Sequence, residues 1–109
     1  MRTVEEFIKI VEEENRKYEE KLLNTSPAML ISRAWEVAKW QTIYDYIEEK
    51  VIPCFEYGEL KDFLTLEIDS PITEIYEYEL NYDEPMWTTW DGLDSVVRDM
   101  IKEIKNQNN

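Results

Sequence analysis

Acidic side chains are the groups in this 109-residue chain with the numbers and spacing to do chemistry. Between Asp45 and Glu84 stand 13 carboxylates against two bases, Lys50 and Lys61, and this stretch carries most of the net charge of -13. Glu56, Glu59, Asp62, Glu67, Asp69, Glu74, Glu77, Glu79, Asp83 and Glu84 follow one another at short intervals. Carboxylates so gathered have three uses. A pair in unlike environments can act as general acid and base. A cage of oxygens can hold calcium. A rigid row of negative charges can imitate nucleic-acid phosphates and dock on the lysines and arginines of a protein that binds them.

Composition thins these choices. The chain has no histidine, which removes Ser-His-Asp and Cys-His nucleophilic machinery and imidazole metal sites. No Asp-x-Asp-x-Asp-Gly loop is present for calcium. Two glycines are too few for a Gly-rich phosphate cradle. Cys54, the single cysteine, lies among Glu56 and Glu59 with no cation nearer in sequence than Lys50, so an inert thiol in a reducing compartment is expected. A dense run of acids is far more often a solvated face than a pocket that separates two pKa values. No enzyme, metal or cofactor is therefore expected, and the charge would repel nucleic acid itself.

The elements that position these charges read as mostly helical. At this length and 43% apolar content, residues 1–109 form one domain that can bury a single core without disulfides. No apolar run approaches the roughly 18 residues that span a bilayer, and "MRTVEEFIKIVEEENRKYEE" is too charged for a signal peptide. A cytoplasmic protein without membrane contact is expected. Thr3 with Glu6 forms a capping box ahead of Val4, Phe7, Ile8, Val11, Tyr18 and Leu22 at helical spacing. Pairs such as Glu5/Lys9 and Glu12/Arg16 should lace that helix. Ser26 and Pro27 open a second helix running towards Ile47, with Leu30, Ala34, Val37, Ala38 and Ile43 or Tyr44 on its inner face. "YGELKDFLTLE" fits a short third helix, with a short strand as the alternative within residues 51–68.

"EIYEYELNYDE" fits period 2 and period 3.6 equally. The Ser70-Pro71 pair repeats the Ser26-Pro27 start and decides for a helix over residues 71–82 with Ser70 as cap. Ile72, Ile75, Tyr76 and Leu80 then face inward. Glu74, Glu77 and Glu84 face water, with Glu79 and Asp83 at the margin. Met86, Trp90, Leu93, Val97, Met100 and Ile104 form a seam for the last helix. The expected architecture is a small single-domain bundle of four to five helices. Trp35 is expected at the core or its edge and Trp90 in the core. Trp87, beside the acidic run, is a candidate interface anchor if exposed.

The succession of a Glu/Lys-rich first helix, "SPAMLISRAWEVA", "GELKDFLTLE", "SPITEIYEYEL" and "SVVRDMIKEI" resembles an uncharacterised family of short acidic helical domains encoded in phages, plasmids and integrated elements of Firmicutes. The resemblance covers roughly residues 7 to 104. It implies a mobile-element setting, in which small acidic proteins often act against host defences, and it carries over no catalytic residue.

The functional expectation follows from both lines. The protein should inhibit a host defence nuclease, a CRISPR effector ahead of a restriction enzyme, by occupying its basic nucleic-acid groove as an acidic DNA mimic. Its partner-binding residues would be Glu56, Glu59, Asp62, Glu67, Asp69, Glu74, Glu77, Glu79, Asp83, Glu84 and Trp87. The alternative is a non-enzymatic adaptor whose charge serves solubility. The seam from Met86 to Ile104 allows a monomer or a homodimer.

Overall fold

A computed structural model of the chain describes residues 1–54, 58–80 and 90–107. Among them are six α-helices, α1 (Val4–Leu23), α2 (Pro27–Ser32), α3 (Ala34–Tyr46), α4 (Gly58–Leu66), α5 (Pro71–Leu80) and α6 (Trp90–Gln107). A π-helical turn, Ile47–Val51, prolongs α3. No strand occurs among the described residues, so the mostly helical expectation holds and the strand alternative near residues 51–68 falls away there. The helix count exceeds four to five because the expected second helix is broken at Arg33 into α2 and α3.

Helix starts follow the sequence signals closely at α1 and α2. The Thr3 hydroxyl accepts from Glu6 N at 3.1 Å, and the Glu6 carboxylate accepts from Thr3 N at 3.2 Å. Ser26 Oγ accepts from Met29 N at 3.3 Å, with Pro27 in the first turn. On the outside of α1, Arg16 pairs with Glu13 and Glu20, not with Glu12 as spacing alone suggested. Both spacings, three and four, bring a helix's side chains together.

α1 and α3 run antiparallel. Trp40 Nε1 donates to Asn15 Oδ1 at 3.0 Å in the interior, and the Trp40 ring stacks on Tyr18 with centroids 4.1 Å apart. Phe7 and Val11 of α1 and Ile43 and Tyr46 of α3 are buried with Phe63 of α4, Ile75 of α5 and Val97 of α6. The inner face of α3 is thus Lys39, Trp40, Ile43 and Tyr46, while Ala34 and Ala38 are exposed. Trp35 is 51% exposed and Trp90 is also exposed, which corrects the core placement expected of both.

α5 is held by two charged contacts that local sequence did not announce. Its first-turn amides are satisfied by α1: Glu14 Oε1 accepts from Ile72 N at 2.9 Å, and Glu14 Oε2 accepts from Thr73 N at 3.0 Å and from its hydroxyl at 2.6 Å. The carboxylate sits where orphan N–H groups and the helix dipole favour negative charge. Ser70 contributes its carbonyl, which accepts from Glu74 N, and the side-chain cap expected of it is Glu14's. The second contact corrects the placement of Glu79. It is 2% exposed and forms an ion pair with Lys39, itself 4% exposed, whose ammonium also lies 5.1 Å from the centre of the Tyr76 ring. With Glu79 inside, Leu80 turns outward and is 51% exposed, against the expected core position.

The cap can be weighed against the serine. Glu14→Ala is expected to destabilise the fold by about 1–2 kcal/mol, the usual cost of a lost N-cap, and Ser70→Ala by well under half of that. Urea unfolding of the two variants measures the order, and a larger loss for Ser70→Ala would refute the tertiary cap.

Candidate functional site

Folding distributes the acid-rich segment very unevenly between its own cations and solvent. Glu59 accepts from Arg98 Nε at 3.0 Å and Asp62 pairs with Lys105 at 2.8 Å, so α6 supplies the bases for α4. The chain start serves the α4–α5 connection: the Met1 ammonium lies 3.4 Å from Glu67, and Arg2 bonds Asp69 at 2.5 Å and the Ile68 carbonyl at 2.6 Å. Glu79 is inside with Lys39. A buried carboxylate cannot meet a partner without breaking its pair, so Glu79 leaves the candidate interface. Glu74 and Glu77 are exposed on α5, as their period predicted. Glu56, Asp83, Glu84 and Trp87 lie outside the described residues.

Around Tyr44 of α3 the fold brings carboxylates of α1 and of the π-helical turn that sequence reasoning missed. Glu12 and Glu19, seven residues apart on α1, share a side with Glu48 of the π-helical turn, and all three act on Tyr44. Burial first, then the neighbouring Glu48, Glu12 and Glu19 carboxylates, push the Tyr44 hydroxyl above its ordinary pKa. Burial also pushes the Glu48 carboxyl up, a hydrogen bond with Tyr44 opposes this, and Glu12 adds repulsion. Glu48 Oε1 is buried without a hydrogen-bond partner. Glu19 accepts from Asn15 at 3.1 Å, and none of the three carboxylates has an ion pair among the described residues. The signal lay in the heptad spacing of Glu5, Glu12 and Glu19, but only the antiparallel return of α3 brings Glu48 beside it.

A cleft of about 350 Å³ opens on the other side, lined by Tyr46, Lys50, Val51, Cys54, Glu59, Asp94 and Arg98. Its polar groups are already matched. Tyr46 donates its hydroxyl to Asp94 Oδ1 at 2.5 Å, and Lys50 pairs with Asp94 Oδ2. Burial pushes Asp94 up, yet the hydrogen bonds from Lys50 and Tyr46 outweigh it and hold the carboxyl below its ordinary value. The same burial, with Asp94, raises the Tyr46 phenol far above its usual pKa. This network ties the end of α3 to α6. Cys54 is half-buried at the edge of it. No group of three or more metal-ligating side chains occurs among the described residues, and no helix there is long and apolar enough to cross a membrane.

The sign of the Asp94 contribution is fixed by its lowered pKa. It is present above the unfolded value of 3.8 and lost as pH falls through the folded one. Asp94→Asn is therefore expected to cost about 1–3 kcal/mol near neutrality, the range for hydrogen bonds to charged groups. Its deficit against the parent should shrink below about pH 4. Urea titrations at pH 7 and pH 3 measure both, and a deficit that grows in acid would refute the assignment. Set against known proteins, the chain matches no family model, no curated sequence and no solved structure.

Proposed function

We propose that this domain is a non-enzymatic binding protein that presents carboxylates to a basic, nucleic-acid-binding protein and inhibits it in the cytoplasm by occupying its groove. A defence nuclease, a CRISPR effector ahead of a restriction enzyme, is the target class in keeping with the mobile-element resemblance. The supporting observation is that Glu12, Glu19 and Glu48 all act on Tyr44 while none of the three has an ion pair among the described residues. Glu12 repels the Glu48 carboxylate, and an approaching guanidinium or ammonium would relieve that repulsion as it gains its own charge-assisted bonds. Because the helices are fixed by a packed core, little side-chain and backbone freedom is lost on docking. The interface moves accordingly. Glu59, Asp62, Glu67 and Asp69 have cations of this chain beside them, and Glu74 and Glu77 stay within the interface because both are exposed on α5.

Charge reversal tests the reading. Glu12→Lys with Glu19→Lys is expected to weaken binding to the target nuclease at least tenfold, and Glu74→Lys with Glu77→Lys by a smaller factor. Reversal of Glu67 and Asp69 should have little effect. Binding should also fall steeply as salt is raised from 0.05 to 0.5 M, since exposed charge pairs are screened within about 10 Å at 0.1 M. The protein should compete with target DNA. Inhibition that survives all reversals in variants with an unchanged helical CD spectrum, or that ignores salt, would end the mimic reading in favour of a protein-protein adaptor.

A further inference from the structure

The end of the molecule where α1 turns into α3 differs from the rest in two independent ways. The first is charge. Residues 21–35 contain no aspartate or glutamate, the longest such stretch in the chain, and carry Lys21 and Arg33. Neither cation forms an ion pair among the described residues, and neither does Glu36, the first acid after them. The second is apolar exposure. α2 has no buried residue. Ile31 is 78% exposed, and Leu23, Met29 and Trp35, near it in the sequence, are exposed as well. Four large apolar side chains displayed within 13 residues go beyond the scattered exposure normal for a surface. Lys21 and Glu36, at the two edges of this stretch, also line a groove with Tyr18, Trp40 and Tyr76.

We propose that this end is a self-association surface and that its occupant is the same end of a second copy, in a two-fold dimer. Charge selects the occupant. Two chains of net charge -13 repel wherever their carboxylate faces meet, and the acid-free stretch is where they can approach at the lowest electrostatic cost. The surface is also self-complementary. In an isologous interface each contact occurs twice, so Arg33 of one copy can meet Glu36 of the other while Ile31 and Trp35 cover their counterparts. Aromatic and apolar residues at the centre with charged residues beside them is the usual anatomy of such a patch. Glu12, which is exposed, lies farther along α1, outside the acid-free stretch, so a dimer would present the carboxylates near Tyr44 twice. That arrangement raises avidity where the target offers two basic sites.

Salt separates this contact from the proposed target binding, because the two respond in opposite directions. Sedimentation equilibrium of the full chain, alone, at 0.05, 0.15 and 0.5 M NaCl is expected to show a monomer–dimer equilibrium that tightens several-fold as salt screens the repulsion. Ile31→Glu and Trp35→Glu should each raise the dissociation constant at least tenfold. Both side chains are exposed, so the helical CD spectrum should not change. Arg33→Glu should weaken the dimer, and Arg33→Glu combined with Glu36→Arg should restore it in part. A protein that is monomeric at several hundred micromolar at every salt concentration would overturn the proposal. So would a dimer that Ile31→Glu, Trp35→Glu and Arg33→Glu leave unchanged. Since no target protein is present, failure here leaves the inhibitor reading standing, and failure of that reading leaves the dimer standing.

Discussion

A charged ammonium and a charged carboxylate can remain in a small core only together, and the Lys39–Glu79 pair sets that condition for this fold. Removing either partner leaves an uncompensated buried charge, which costs far more than the pair itself contributes. The pair joins the middle of α3 to the last turn of α5 and so fixes how α5 is rotated about its axis. Everything the helix shows to solvent follows from that rotation. Ile72 and Ile75 point inward with Glu79, Glu74 and Glu77 point outward, and Leu80 is turned out of the core. Glu14, reaching across from α1 to the first-turn amides, fixes the other end of the same helix. A ten-residue helix of this composition would be marginal in isolation. Two charged anchors and a short apolar stripe hold it in one orientation.

The distribution of charge is the second consequence of tertiary structure. Along the chain the acids gather in the middle, but in space Arg98 and Lys105 of α6 meet α4, and Arg2 with the N-terminal ammonium meets the α4–α5 connection. These exposed pairs contribute little stability individually, in the range of about 0–1 kcal/mol. Their effect is on availability. They place a cation of this chain beside each of Glu59, Asp62, Glu67 and Asp69, while Glu12 and Glu19 of the nominally balanced α1 have no ion pair among the described residues. Net charge is unaltered by folding, but its pairing with cations differs from what the order of residues along the chain suggests.

What was legible in the letters follows the range of each interaction. Capping signals act over three residues, and Thr3/Glu6 and Ser26-Pro27 mark their helix starts correctly. Helical periodicity acts within one element, and it placed Leu93, Val97 and Met100 in the core and Glu74 and Glu77 outside. The misplaced residues depend on a second element. Nothing near Ser70 indicates that Glu14 will cap α5, and nothing near Arg33 marks a break, since α3 begins without a side-chain cap. Glu79 was readable in principle. It stands seven residues after Ile72 and four after Ile75, on the inner stripe, just as Lys39 stands four before Ile43. Opposite charges at inner positions of two helices announce a buried pair only once the helices are known to be neighbours.

The orientation of α5, on which the assignment of the outer carboxylates rests, is tested most directly by a double-mutant cycle on its buried pair. Unfolding free energies of the parent, Lys39→Met, Glu79→Met and the double variant isolate the interaction from the separate cost of each change. The expected result is a loss of about 3–5 kcal/mol for each single variant and a much smaller loss for the double variant, the behaviour of a buried pair replaced by apolar groups. Single losses below about 1 kcal/mol that simply add in the double variant, as exposed surface charges do, would place Glu79 in solvent and contradict the fold of α5 described above.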